Sequence, residues 1–261
     1  MADRLDLQFA DYDGRELFLD IQLPHHSGSP APLILSIPVG GWRNCNRKGG
    51  RHWLTEFGFA VAVIECRLPP EAIAPAAVHD CKAAVRWLRA HGAQHGLAVD
   101  RIGTIGSSAG GHLSAMMAVS AGVAQLEGAG GNADVSSTIQ AACDQRGPSD
   151  LERMADPLLA QANPILCEVT EGFVGGPVAG HRQLARLMSP LRHVSGNAAP
   201  MLILHGAEDA TVPVVDSQLL HAALQQAGAD SSLTILPGQG HGWDEELTSE
   251  RIVEFFRRTL T

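Results

Sequence analysis

Two hydrophobic periods alternate along this chain of 261 residues. Residues 5–11 and 15–24 alternate apolar and polar around Asp13-Gly14, a pattern that predicts an antiparallel hairpin. Continuous apolar runs follow at "PLILSIPV" (32–39) and "FAVAVIEC" (59–66), as expected of strands buried on both faces. Between them lie a glycine-rich loop (40–50) and "RHWLTEFGF", a short helix ending near Gly58. "PEAIAPAAVHDCKAAVRWLRAHGAQHG" (70–96) reads as helix, with Cys81, Val85 and Leu88 on one stripe.

The alternation continues to the end. "RIGTIG" (101–106) predicts a short strand, "GGHLSAMMAVSAG" a helix, "EGAGGNADVSS" a loop and "IQAACDQ" a strand. Residues 148–199 give broken helical signals punctuated by Pro157, Pro164, Pro177 and Pro190. "PMLILHG" (200–206) and "SLTILPG" (232–238) are strands around the helix "SQLLHAALQQAGA". "SERIVEFFRRTL" closes the chain as a helix with Ser249 as expected N-cap. Strand and helix in regular succession imply an α/β architecture, a mainly parallel sheet with helices on both faces. With no repeat or linker, the reading is one domain over residues 1–261.

Composition narrows the function classes. A net charge of −9 argues against nucleic acid as a partner. No apolar run reaches a membrane span, and the charged start lacks an apolar leader core, so a cytoplasmic protein is expected. Five scattered cysteines with no CxxC pair point to free thiols rather than a disulfide frame or zinc site.

The candidate chemistry sits at "RIGTIGSSAGGHL". Gly106-Ser107-Ser108-Ala109-Gly110 is G-x-S-x-G with Ser108 at its centre, between a predicted strand and helix. That context suits a nucleophile on a sharp turn, and Ser107, one residue off register, reads as structural. A serine nucleophile needs a base, and the base an orienting acid. "LILHGAEDATVP" puts Asp209 after one late strand, with Glu208 as rival, and "TILPGQGHGW" puts His241 after the next. Both lie at carboxyl ends of predicted parallel strands, where open α/β sheets place their chemistry; His205 reads as a structural histidine at a strand end. Oxyanion donors are expected from the backbone N–H of Ala109 and from Gly40 and Gly41 in "SIPVGGW".

In order, "PVGGW", "GSSAGGHL", "HGAEDATVP" and "GQGHGW" resemble α/β-hydrolase esterases of the hormone-sensitive-lipase type. The likeness is to small bacterial acetyl-xylan and feruloyl esterases, and covers roughly residues 30–261. "CRLPPEAIAPAAVHDCKAAVRWLRA" and "GFVGGPVAG…MSPLRHVS" resemble further family segments. The resemblance implies an α/β-hydrolase fold with a small or absent lid. It also implies carboxylic-ester hydrolysis through an acyl-enzyme, without metal or cofactor, on a small-molecule or carbohydrate ester. Two positions depart from the family pattern. Pro38 and Val39 stand where its oxyanion motif has histidine and a first glycine, and Cys66 stands where tyrosine is usual.

Trp42 and Trp243 flank the loops and are candidates to stack on a sugar or aryl ring. No acidic residue lies between Asp20 and Glu56, a stretch that holds Arg43, Arg47, Lys48, Arg51, His25, His26 and His52. Two readings follow: a solvated loop whose charges pair with the acidic surface elsewhere, or Arg43 and Arg47 reaching the pocket mouth and favouring an anionic ester. Two other readings share these residues: an amidase, arylformamidase or peptidase with the same triad, and a non-catalytic binding protein on a hydrolase scaffold.

Overall fold

The computed structural model describes residues 3–25 and 30–261, so His26 lies outside the described residues. Eight strands form one sheet: β1 (Arg4–Tyr12), β2 (Arg15–Gln22), β3 (Ala31–Ile37), β4 (Ala60–Ile64), β5 (Leu97–Ser107), β6 (Ala141–Gln145), β7 (Met201–Gly206) and β8 (Ser231–Leu236). Their order across the sheet is β1-β2-β4-β3-β5-β6-β7-β8. β1 pairs antiparallel with β2, and β2 with β4; every later pairing is parallel.

Side-chain alternation on the strands divides the core between the two faces. Leu33, Leu35 and Ile37 of β3 pack on one face with α1 (Ala76–His91), α2 (Ala109–Val119) and α4 (Val215–Gln226). Ile34, Ile105, Cys143 and Leu204 point the other way, onto α5 (Glu246–Leu260). A further helix, α3 (Pro164–Val174), comes from the proline-punctuated segment. Every residue of α2 is buried, which is why its sequence is small and apolar all round.

Most predicted elements are present, and the differences have local causes. The helix expected from residue 70 starts at Ala76, because Pro70 and Pro75 cannot continue a helical ladder. The strand expected from residue 101 begins at Leu97, where it pairs with Ala31 before a register shift. Ser249 is not an N-cap. The helix starts three residues earlier at Glu246, whose N–H donates to Asp244 Oδ1 at 3.1 Å, and Ser249 Oγ donates back to the Glu246 carbonyl. The five cysteines are free thiols. Among the described residues no helix is long and apolar enough to cross a membrane.

Phe256 is fully buried, stacks edge-on to Phe59 at 6.1 Å and lies so close over Gly103 that a β-carbon there would meet it at 2.8 Å. Phe256→Ala should therefore cost about 3–5 kcal/mol by urea denaturation. On the same helix Leu247 is 55% exposed, and Leu247→Ala should stay within about 0.5 kcal/mol.

Candidate active site

The site is built on close backbone approaches at strand ends. Ser108 joins β5 to α2 at φ 57° and ψ −120°, a conformation that costs a residue with a β-carbon on the order of 1–3 kcal/mol. Its neighbours hold it there. The Ser108 N–H donates to the Gln145 carbonyl at 2.8 Å, and the Ser108 carbonyl accepts from His112 N–H at 2.9 Å. A β-carbon on Gly106 would lie 2.3 Å from the backbone of Gly110, and one on Gly110 2.3 Å from the carbonyl oxygen of Ile37. The first turn of α2 thus packs onto the ends of β3 and β5 with no room for side chains.

Asp209 and His241 arrive on the loops after β7 and β8. Those loops are also in backbone contact, since a β-carbon on Gly206 would lie 2.2 Å from the Gly240 carbonyl oxygen. His241 Nε2 lies 2.9 Å from Ser108 Oγ, and His241 Nδ1 lies 2.7 Å from Asp209 Oδ2. Asp209 Oδ1 accepts from the backbone N–H groups of Thr211 and Val212 at 2.8 and 2.9 Å. His205 is buried behind the acid, its Nε2 2.9 Å from the Val212 carbonyl and 3.3 Å from Asp209 Oδ2, its Nδ1 2.7 Å from Ser217 Oγ. Burial alone would push the Asp209 carboxyl upward. Hydrogen bonds from His205, His241, Val212 and Thr211 outweigh it and hold the carboxyl well below the usual range. Glu208, the rival acid, is exposed.

Two cavities meet at Ser108. The larger, about 580 Å³, is polar and includes Gly40, Gly41, Asn44, Arg51, Arg146 and His241 in its walls. The smaller, about 190 Å³, is apolar, walled by Trp42, Ala109, Pro148, Leu166, Val169 and Val212, with Ile165 at its edge. Gly41 has φ +54°, and its N–H makes no hydrogen bond among the described residues. Ala109 is the first residue of α2, so its N–H has no partner within the helix. Among the described residues no cluster of three or more His, Cys, Asp or Glu is placed to hold a metal ion.

The expected substrate residues fare differently. Arg47 does not reach either cavity, because its guanidinium is held by Asp6, Asp20 and Glu65 on the hairpin side. Arg43 pairs at the surface with Glu168 at 2.8 Å, outside both cavities at Ser108. Trp42 is buried; its ring stacks on Phe173 at 4.7 Å, its Nε1 points at His112 Nδ1 at 3.3 Å, and it walls the smaller, apolar cavity rather than the larger one. Trp243 offers its face to the Arg146 guanidinium, 4.2 Å from the ring centre, and walls neither cavity. Among the described residues, the arginines that line the larger cavity are Arg51, part of the acid-free stretch, and Arg146. Arg146 directly follows β6, and its position at a parallel strand's carboxyl end is the signal that could have found it.

A family model matches residues 19–224. The chain belongs to the BD-FAE family. It is 33% identical to the esterase LipQ of Mycobacterium tuberculosis over 88% of this chain and 55% of that protein. It is 30% identical to the probable carboxylic ester hydrolase LipM of the same organism, over 92% of this chain and 56% of that protein. The chain therefore spans about half the length of these relatives. Among solved structures, a truncated carbohydrate esterase from gut microbiota superposes with a TM-score of 0.86 at 27% identity, over 99% of this chain and 96% of that one. The expected resemblance and the α/β-hydrolase fold are met, and the named relatives are esterases.

The depressed Asp209 carboxyl stabilises the fold fully above its unfolded value of about pH 4, and that contribution is lost as pH falls toward the lower folded value. Unfolding free energy should thus fall between about pH 4 and 2 more steeply in the wild type than in Asp209→Asn, by on the order of 1–2 kcal/mol. Parallel slopes in urea titrations would contradict this.

Proposed function

We propose that the protein is a serine carboxylic-ester hydrolase that removes short acyl groups from a polar alcohol such as a carbohydrate. The observation that carries this is the hydrogen-bonded chain from Ser108 through His241 to Asp209, opening on two cavities of which the larger is the more polar. In this reading Ser108 Oγ attacks the ester carbonyl as His241 Nε2 takes its proton. Asp209 accepts from Nδ1–H and so keeps Nε2 free as the acceptor. Backbone N–H groups of Gly40, Gly41 and Ala109 receive the charge that develops on the carbonyl oxygen. Collapse breaks the ester bond, and the His241 proton passes to the departing alcohol. Water then gives a proton to His241 and attacks the acyl-enzyme, releasing the acid and restoring Ser108.

The cavities divide the ester between them. The apolar one matches an acyl chain by polarity, and its small volume favours short chains. The polar one offers Asn44, Asn46 and Ser107 to a hydroxylated alcohol. The carbohydrate esterase among the structural neighbours supports the same class of alcohol. The strained seat of Ser108 and the intact hydrogen-bond chain favour catalysis over a binding role.

Activity on p-nitrophenyl esters should be greatest from acetyl to butyryl and fall sharply at octanoyl. Ser108→Ala should lower kcat by about 10⁴–10⁶, and Ser107→Ala by less than about tenfold, since its hydroxyl is not in the hydrogen-bond chain. An octanoyl optimum would contradict the acyl-pocket assignment. A dead Ser107→Ala beside an active Ser108→Ala would contradict the nucleophile.

A further inference from the structure

The larger cavity is charged in a way ester hydrolysis does not require. Arg51 and Arg146 both line it, and among the described residues no carboxylate does. Arg51 is partly spoken for: Nη1 pairs with Glu245 Oε1 at 2.6 Å and Nη2 donates to Gln145 Oε1 at 2.8 Å, while its buried Nε has no partner. Arg146 is less satisfied. Its guanidinium makes no hydrogen bond or ion pair among the described residues, and its Nε is buried without a partner. Its Cζ lies over the Trp243 ring, 4.2 Å from the centre, a cation–π contact that uses no N–H donor.

The backbone presents this side chain at some cost. Arg146 sits at φ +53°, a left-handed conformation uncommon for residues other than glycine. Its N–H is held by the Leu204 carbonyl at 2.7 Å, so the residue is clamped between β6 and β7. Burial, together with the neighbouring Arg51 charge, pushes Arg146 down to about 10, still a cation at neutral pH. Asp209, Asp144 and Glu245 act on it only through space, without a hydrogen bond, and Glu245 is paired with Arg51. Asp209 is engaged by two histidines and two backbone N–H groups. Asp144 is buried, and desolvation raises it to about 6. The Nη groups of Arg146, accessible where Nε is buried and without a protein partner among the described residues, are the donors that an anion in the cavity would meet.

We propose that Arg146, assisted by Arg51, forms a carboxylate-binding subsite for the alcohol portion of the ester, so that the preferred substrate is an acyl ester of an acidic sugar or a similar hydroxy acid. This rests on the ester-hydrolase reading above and deepens it. A planar carboxylate matches the paired N–H donors of a guanidinium. The cavity volume, about 580 Å³, falls within the range of about 300–1,000 Å³ of small-molecule sites and admits a single sugar ring beside Ser108.

The test compares two monoacetylated sugars, a methyl glucuronoside and the matching methyl glucoside, each acetylated at the same hydroxyl. At low ionic strength kcat/KM for the glucuronoside should exceed that for the glucoside by about tenfold or more, mainly through KM. The ratio should shrink as salt shortens the screening length from about 30 Å at 0.01 M to about 10 Å at 0.1 M. Arg146→Gln should bring the ratio to within about twofold of unity, Arg146→Lys should recover part of it, and Arg51→Gln should lower it less, because Arg51 already has an acidic partner. If both sugars are deacetylated at equal kcat/KM in the wild type, the subsite is wrong and the hydrolase reading stands. If the wild type preference persists in Arg146→Gln, the carboxylate is recognised elsewhere and the assignment is overturned. If neither sugar nor any short p-nitrophenyl ester is cleaved, both readings fall together.

Discussion

Ser108 occupies backbone geometry that its own side chain disfavours, and the surrounding structure exists in that form because five segments hold it there. β3 supplies the Ile37 carbonyl against Gly110, β5 supplies Gly106, and α2 supplies the His112 N–H. β6 supplies the Gln145 carbonyl as acceptor for the Ser108 N–H. The loop after β8 brings His241 to the hydroxyl. A strained residue persists only where its neighbours over-determine it. Here the neighbours are backbone atoms at contact distance, which cannot shift without moving strands.

The same economy of space explains why so much was legible in the chain. A residue type that only one geometry tolerates announces that geometry. Gly106 and Gly110 stand where a β-carbon would strike backbone, and their spacing marked the serine turn. Buried parallel strands demand continuous apolar runs, so β3, β4 and β7 were readable as such. Ser249 and the start of α1 were misplaced because neighbouring signals competed: Pro70 and Pro75 delay the helix to Ala76, and Asp244 supplies the acceptor for the Glu246 N–H three residues before Ser249.

The site's polar walls were less legible because charge pairing is a three-dimensional matter. Arg43, Arg47 and Arg51 are near-equivalent in sequence. Folding gives Arg47 three carboxylates from the hairpin side and β4's end, gives Arg43 one at the surface, and turns Arg51 inward. Arg146 sits in "DQRGPSD", with acids on both sides in the chain and none paired to it among the described residues. Trp42 and Trp243 look alike as ring platforms. One is packed between Phe173 and His112, and the other carries Arg146.

The central claim is that Ser108 is activated through His241 and Asp209. It is tested most directly by the rate and position of labelling with a fluorophosphonate, read by peptide mass spectrometry. The account predicts one modified residue, Ser108, with labelling slowed by orders of magnitude in His241→Ala although the hydroxyl remains in place. Labelling at Ser107, or at Ser108 with equal speed in wild type and His241→Ala, would contradict it.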